Sequence, residues 1–133
     1  MSDATIEPTA GQIKALVDSS SDDGPIAMLN LLRFREDALA PDEGMSGAEA
    51  YGIYSQGVAP FLETAGAKVL SAAACLQSVI GPDQPEWDMA IIVEYPSRLA
   101  FLEMVGDPAY QEVARHRSAA LSDSRLILST RLA

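Results

Sequence analysis

The chain has 133 residues and a net charge of −10, from 19 acidic against 9 basic side chains, a balance that argues against nucleic acid or an anionic membrane surface as partner, since both reward basic patches. One cysteine (Cys75) and one histidine (His116) exclude a disulfide framework and any multi-cysteine or multi-histidine metal centre. No apolar run approaches the roughly 18 residues of a membrane span.

The N-terminus has neither the basic start nor the apolar core of a signal peptide, so a cytoplasmic protein is expected. Residues 1–23 read as a short outer helix and a polar linker, and 24–133 as a single domain. In the first part, Ile13, Leu16 and Val17 recur at helical spacing behind Pro8 and Thr9. Asp18 to Gly24 is polar and breaks that helix.

Pro25 to Arg35 reads as a central strand. Ile26, Met28 and Leu32 fall on one parity and Ala27, Leu29 and Leu31 on the other, so both faces should be covered. Asn30 is then a polar group in a dry place that must find a hydrogen-bond partner. Glu36 to Gly47, with Pro41 and Gly44 among acids, reads as a solvent loop or flap.

From Ser46 to Ala65, Tyr51, Tyr54, Val58, Phe61, Leu62 and Ala65 form one apolar stripe with two phenols on it. Pro60 should kink this long helix or split it near Gln56, and Gly66 should stop it. Ala67 to Ile80 reads as a second strand built of small residues, with Cys75 as a buried, inert thiol. Gly81 to Glu86 is a turn, from which Trp87 to Tyr95 returns antiparallel, Trp87 covering the sheet edge. Ser97 suits the N-cap of a helix that stops at Gly106. Asp107 and Pro108 restart it to about Ser122, with Tyr110, Val113, Ala114, Arg117 and Leu121 inward. Arg125 to Arg131 is the last strand.

This order predicts an α+β chain of ferredoxin-like βαββαβ type: a four-stranded antiparallel sheet, two helices on one face, and an extra helix at the N-terminus. One sheet face stays bare, yet its strands carry aliphatics on both parities. A bare apolar face of that size predicts a homodimer, sheet against sheet.

Met28-Leu29-Asn30-Leu31-Leu32-Arg33-Phe34, the helix with Tyr51 and Tyr54, Val93-Glu94-Tyr95-Pro96-Ser97-Arg98 and Asp107-Pro108-Ala109-Tyr110-Gln111 together resemble the DUF1330 family of small bacterial proteins within the dimeric α/β-barrel superfamily. The resemblance spans Gly24 to Thr130 and implies a dimer whose sheets close into a barrel, with any ligand between sheet and helices. The wider superfamily includes cofactor-independent monooxygenases, muconolactone isomerases and haem-degrading enzymes. Where the haem-degrading relatives carry a histidine, this chain has Ala114, and His116 is turned by about 200° from it on a helix, so no tight haem site is expected.

Two functions stay open: a cofactor-independent enzyme acting on a small carbonyl or carboxylate compound, and a non-catalytic ligand-binding or structural homodimer. In the first, Asn30, Tyr54, Arg117 and Tyr51 bind the ligand, with Asn30, Tyr54 and Arg117 lining one pocket, and His116 or Glu94 moves a proton. In the second, the same groups pair with one another, as in an Arg117–Glu94 ion pair. Neither a metal nor a cofactor is expected, and no phosphate loop or serine-nucleophile elbow occurs.

Overall fold

In the computed structural model, which describes residues 4–18 and 24–132, the elements run in the order α1 (Ala10–Asp18), β1 (Ile26–Phe34), α2 (Gly47–Ala65), β2 (Lys68–Ala74), β3 (Met89–Tyr95), α3 (Arg98–Gly106), α4 (Pro108–Ala120) and β4 (Leu121–Ser129). Part of the polar linker, 19–23, lies outside the described residues. The strands form one antiparallel sheet in the order β2-β3-β1-β4, the ferredoxin-like arrangement.

The period-two alternation of β1 decides what each face does. Ile26, Met28 and Leu32 join Val93 and Tyr95 of β3 and Tyr51, Tyr54, Val58, Phe101, Met104 and Tyr110 of the helices in one buried core. Leu32 and Leu121 are fully buried. The other parity, Leu29 and Leu31 of β1 with Ile92 and Ala90 opposite them, faces away from the helices. In a single chain Ala27 is buried but Leu29 and Leu31 are only half-buried, so the described residues leave the middle of this face only partly covered.

Several sequence expectations need correction. Helix α2 runs unbroken through Pro60. Pro60 and Gln56 both lie on the exposed side, so the carbonyl that loses its amide partner is met by water and the helix need not divide. Its start is as read: Ser46 and Glu49 form a capping box. Strand β2 ends at Ala74 rather than Ile80, and residues 75–88 form a long connection instead of a tight turn. Cys75 is exposed, not buried, because β2 is an edge strand with every residue exposed.

Helix α4 stops at Ala120, and β4 begins at once with Leu121, which pairs with Phe34 across a bulge in the β1–β4 ladder. The pairing of a fully buried leucine outweighs helix continuation to Ser122. The loop after β1 is no free flap: Arg35 N donates to Ala120 O, Leu39 N to Ala119 O, Ala38 N to Met45 O and Gly47 N to Arg35 O. These bonds tie residues 35–47 to the end of α4. Residues 4–9 also lie on the domain, where Thr5 Oγ1 donates to Ser124 O at 2.8 Å and Ser124 Oγ donates to Thr5 O at 2.6 Å. Ile6 and Leu16 pack against the core.

Candidate functional site

Tyrosine is where the helix layer meets the sheet. The chain has 4 tyrosines, and all of them, Tyr51, Tyr54, Tyr95 and Tyr110, belong to the core cluster. The three-residue step from Tyr51 to Tyr54 puts both on the buried stripe of α2, with ring centroids 5.3 Å apart. Tyr110 comes from the first turns of α4, and Tyr95 from the end of β3 on the helix-facing parity. Phe34 packs tilted against Tyr51 with ring centroids 5.5 Å apart, and Phe61 packs edge-on against Tyr110 at 6.0 Å.

At the centre, the Tyr54 and Tyr110 hydroxyls are 2.9 Å apart. Burial opposes ionisation of three of these phenols: the pKa of Tyr51 is pushed up to about 12, and those of Tyr54 and Tyr95 are driven well above the ordinary tyrosine range. The positive charge of Arg117 opposes the rise at Tyr51 and Tyr54, so that guanidinium lies within electrostatic reach of both. At neutral pH Tyr51, Tyr54 and Tyr95 are neutral hydrogen-bonding groups.

Arg117 itself is half-buried on α4, and its Nη1 donates to the main-chain carbonyl of Ile6 at 2.8 Å. Among the described residues no carboxylate pairs with it; the Arg117–Glu94 pair is not formed. Glu94 instead meets Arg131 at 3.4 Å and stands opposite Ala27, on the sheet face turned away from the tyrosines. Asn30 shares the helix-facing parity of β1, is half-buried, and donates from Nδ2 to Met28 O at 3.3 Å.

His116 Nδ1 lies 2.7 Å from Asp42 Oδ2. The histidine side chain is 29 % exposed and the aspartate 5 %, so the loop supplies a buried carboxylate that orients a half-exposed imidazole and leaves Nε2 free of that contact. Thus the helix layer gathers Tyr51, Tyr54 and Arg117, with Asn30 on the sheet face they cover; His116 sits with Asp42 at the α4 end, and Glu94 is apart. Asp42, Tyr95 and Tyr110 are additional. Tyr110 carried the signal of the inward stripe and Tyr95 that of strand parity, while nothing in the spacing of the Pro- and Gly-rich loop marks Asp42.

Two open clefts lie near these groups. One of about 450 Å³ runs along Ala4, Thr5, Ile6, Glu7, Thr9 and Ser118, beside Arg117. The other, about 490 Å³, is lined by Pro25, Ile26, Glu94, Thr130, Arg131 and Leu132. Among the described residues no three His, Cys, Asp or Glu side chains are grouped to hold a metal ion, and no helix is long and apolar enough to cross a membrane.

Residues 44–130 match the model of a domain of unknown function, DUF1330. The chain belongs to this family. No curated protein matches it. Among solved structures it is similar to RPA0582, a protein of unknown function from Rhodopseudomonas palustris, with 42 % identity over 98 % of each chain and a TM-score of 0.91. It is similar in fold to SnoaB, a cofactor-independent oxygenase from Streptomyces nogalater (13 % identity, 84 % of this chain and 96 % of that one, TM-score 0.55). A dimeric ferredoxin-like protein of unknown function from Bacteroides fragilis shares the fold as well (9 % identity, 81 % and 97 %, TM-score 0.52). For this DUF1330 member the distant likenesses establish architecture, and the chemistry must be argued from its own residues.

Proposed function

We propose that this protein binds a small carboxylate or carbonyl compound between the helix layer and the sheet and acts on it without a cofactor. The observation that carries the reading is Arg117: a half-buried cation whose acceptor among the described residues is a neutral carbonyl, that of Ile6. A charge-assisted, bidentate carboxylate is a stronger partner for guanidinium than one main-chain oxygen. A ligand carboxylate displaces the Ile6 carbonyl, entering along the cleft beside residues 4–9.

The phenols supply the second half of the site. Two hydroxyls carry two protons, and the Tyr54–Tyr110 contact uses one. The other is left to donate to a ligand oxygen, and a neutral phenol in a buried setting can stabilise an enolate-like oxygen as negative charge develops. Asn30 and Tyr51 complete the lining. His116, oriented by Asp42, is the proton carrier. Glu94, on the far sheet face with Arg131, has no role in this reading.

The working unit is a homodimer. The face turned away from the helices has an apolar centre of Leu29, Leu31, Ile92 and Ile127. It is framed at one end by Glu94 with Arg131 and at the other by Arg33 and Arg125, whose guanidinium carbons lie 5.8 and 5.1 Å from the Trp87 ring centre. An apolar centre within a polar, aromatic and arginine-bearing rim is the anatomy of a protein–protein interface.

A second reading, a non-catalytic dimer, is favoured by one observation: His116, Asn30, Glu94 and Tyr54 each have a partner inside the chain. A thermal-shift screen of small aromatic and unsaturated carboxylates and carbonyl compounds separates the two. Stabilisation of wild type that is lost in Arg117→Met and Tyr54→Phe supports the binding site. Stabilisation that survives both substitutions, or none with any compound, supports the non-catalytic dimer.

A further inference from the structure

Residues 69–80 contain no charged side chain, in a chain of net charge −10. They comprise most of β2, an edge strand whose every residue is exposed, and the start of the connection to β3. In that connection Leu76, Val79 and Ile80 are 86 %, 88 % and 97 % exposed. A single exposed aliphatic is ordinary. Large aliphatics this close together and this bare, beside an unpaired strand edge, are what soluble proteins avoid unless the surface is used. The usual edge protection is thin: Lys68 stands at the start, a bulge falls between Val69 and Ser71, and 68–80 contains no proline.

We propose that residues 69–80 form an arm that packs on a second copy of this chain, reciprocally across a two-fold axis. The occupant is argued from charge. Two copies of a −10 chain repel wherever acidic surface meets acidic surface, so they associate through uncharged ground, and this segment supplies it. A basic partner would engage the acidic surface and leave the arm bare. The arm also continues the open sheet face, because Ser71 and Ala73 pair beside Ile92 and Ala90.

The area agrees. At about 60–120 Å² of apolar surface for each buried aliphatic side chain, Leu76, Val79 and Ile80 from both copies bury about 350–700 Å². That alone falls short of the roughly 1,200–2,000 Å² of a stable pair, and the open sheet face makes up the difference. The inference therefore rests on the proposed face-to-face pairing and adds a separate element to it.

Cys75, exposed and the chain's single cysteine, lies within the arm and reports on it. The experiment uses the full chain, with light scattering and the rate of Cys75 alkylation by N-ethylmaleimide measured across a concentration series. Wild type is compared with the triple variant Leu76→Ser, Val79→Ser, Ile80→Ser, whose changes are at exposed positions and leave the core intact. Wild type should pair, with Cys75 labelling that slows as concentration rises. In the triple variant pairing should weaken by about 100-fold or more, and labelling should stay equally fast at all concentrations.

A wild-type dimer whose mass and Cys75 rate are unchanged by the triple substitution overturns the arm and leaves the sheet-face pairing standing. A wild type that stays monomeric throughout overturns both. Cosedimentation of a monomeric wild type with phosphatidylcholine vesicles, abolished in the triple variant, would mark the arm as a membrane contact and also overturn the proposal.

Discussion

The hydroxyls of Tyr54 and Tyr110 stand 2.9 Å apart, so α2 and α4, separated in sequence by β2, β3 and α3, are tied at a single buried polar point. Phe61 and Tyr51 pack edgewise and tilted around that point. Removing one hydroxyl leaves the other without its partner in a dry setting. Tyr110→Phe and Tyr54→Phe should each lower unfolding stability by about 1–2 kcal/mol. The double variant should lose less than the sum, since the second change removes an already orphaned group. Urea denaturation of the three variants checks this, and strict additivity would mean that the contact has no energetic weight.

Alkaline pH should unfold the protein before it titrates Tyr51, Tyr54 and Tyr95. Burial raises Tyr51 to about 12 and raises Tyr54 and Tyr95 further, whereas an unfolded tyrosine ionises near 10. Below about pH 10 both states are protonated and the contribution is complete. Between about 10 and 12 the unfolded chain gives up protons that the folded one keeps, so stability falls by about 1.4 kcal/mol per pH unit per tyrosine. Phenolate formation at Tyr51, Tyr54 and Tyr95, followed by assigned ring signals, should therefore accompany loss of secondary structure; phenolate at any of these three in a folded protein at pH 10.5 contradicts the burial argument.

Asp42→Ala tests whether the loop at 35–47 is fastened through His116. The substitution removes the carboxylate at 2.7 Å from His116 Nδ1 and should cost about 1–3 kcal/mol. The Leu39 amide, bonded to Ala119 O, should then exchange faster with solvent. Unchanged Leu39 exchange would place the fastening in the backbone bonds alone.

Gly47 and Gly52 should respond in opposite directions. A Cβ on Gly47 would collide with the carbonyl oxygens of Arg35 and Ala120 and the amide nitrogen of Arg35, whereas one on Gly52 meets nothing within 4 Å. Backbone cannot yield as a side-chain tip can, so Gly47→Ala should destabilise by at least about 2 kcal/mol. Gly52→Ala, at an exposed site within α2, should stabilise by up to about 1 kcal/mol. Thermal melts of both variants provide the comparison.

These particulars also show how far the amino-acid order goes. Parity along β1 separates the faces, and the step from Tyr51 to Tyr54 puts both phenols inward; such periodic signals depend on local geometry and are legible. Capping signals at Ser97 and Asp107 place two helix starts within a residue. What the order does not carry is long-range competition. The end of α4 is set by the pairing of Leu121 with Phe34, and the partner of Arg117 is Ile6, far away in sequence. Asp42 meets His116 only because the loop is fastened to Ala119 and Ala120. Leu76, Val79 and Ile80 read as strand by composition, yet β3 is paired with β2 only through Ala74.

The central claim, that Arg117 and the Tyr54–Tyr110 pair hold the oxygen atoms of a small acid or carbonyl compound, is tested most directly by NMR of protein labelled with 13C at the tyrosine ring Cε and arginine Cζ positions. A stabilising compound from the screen is titrated in, with residue assignments from Tyr54→Phe, Tyr110→Phe and Arg117→Met. The account predicts saturable shifts at Tyr54, Tyr110 and Arg117 together, with Arg117 leaving its Ile6 carbonyl contact, and weaker binding in each variant. Saturable binding that moves none of these three signals, or that is equally tight in all variants, would contradict it.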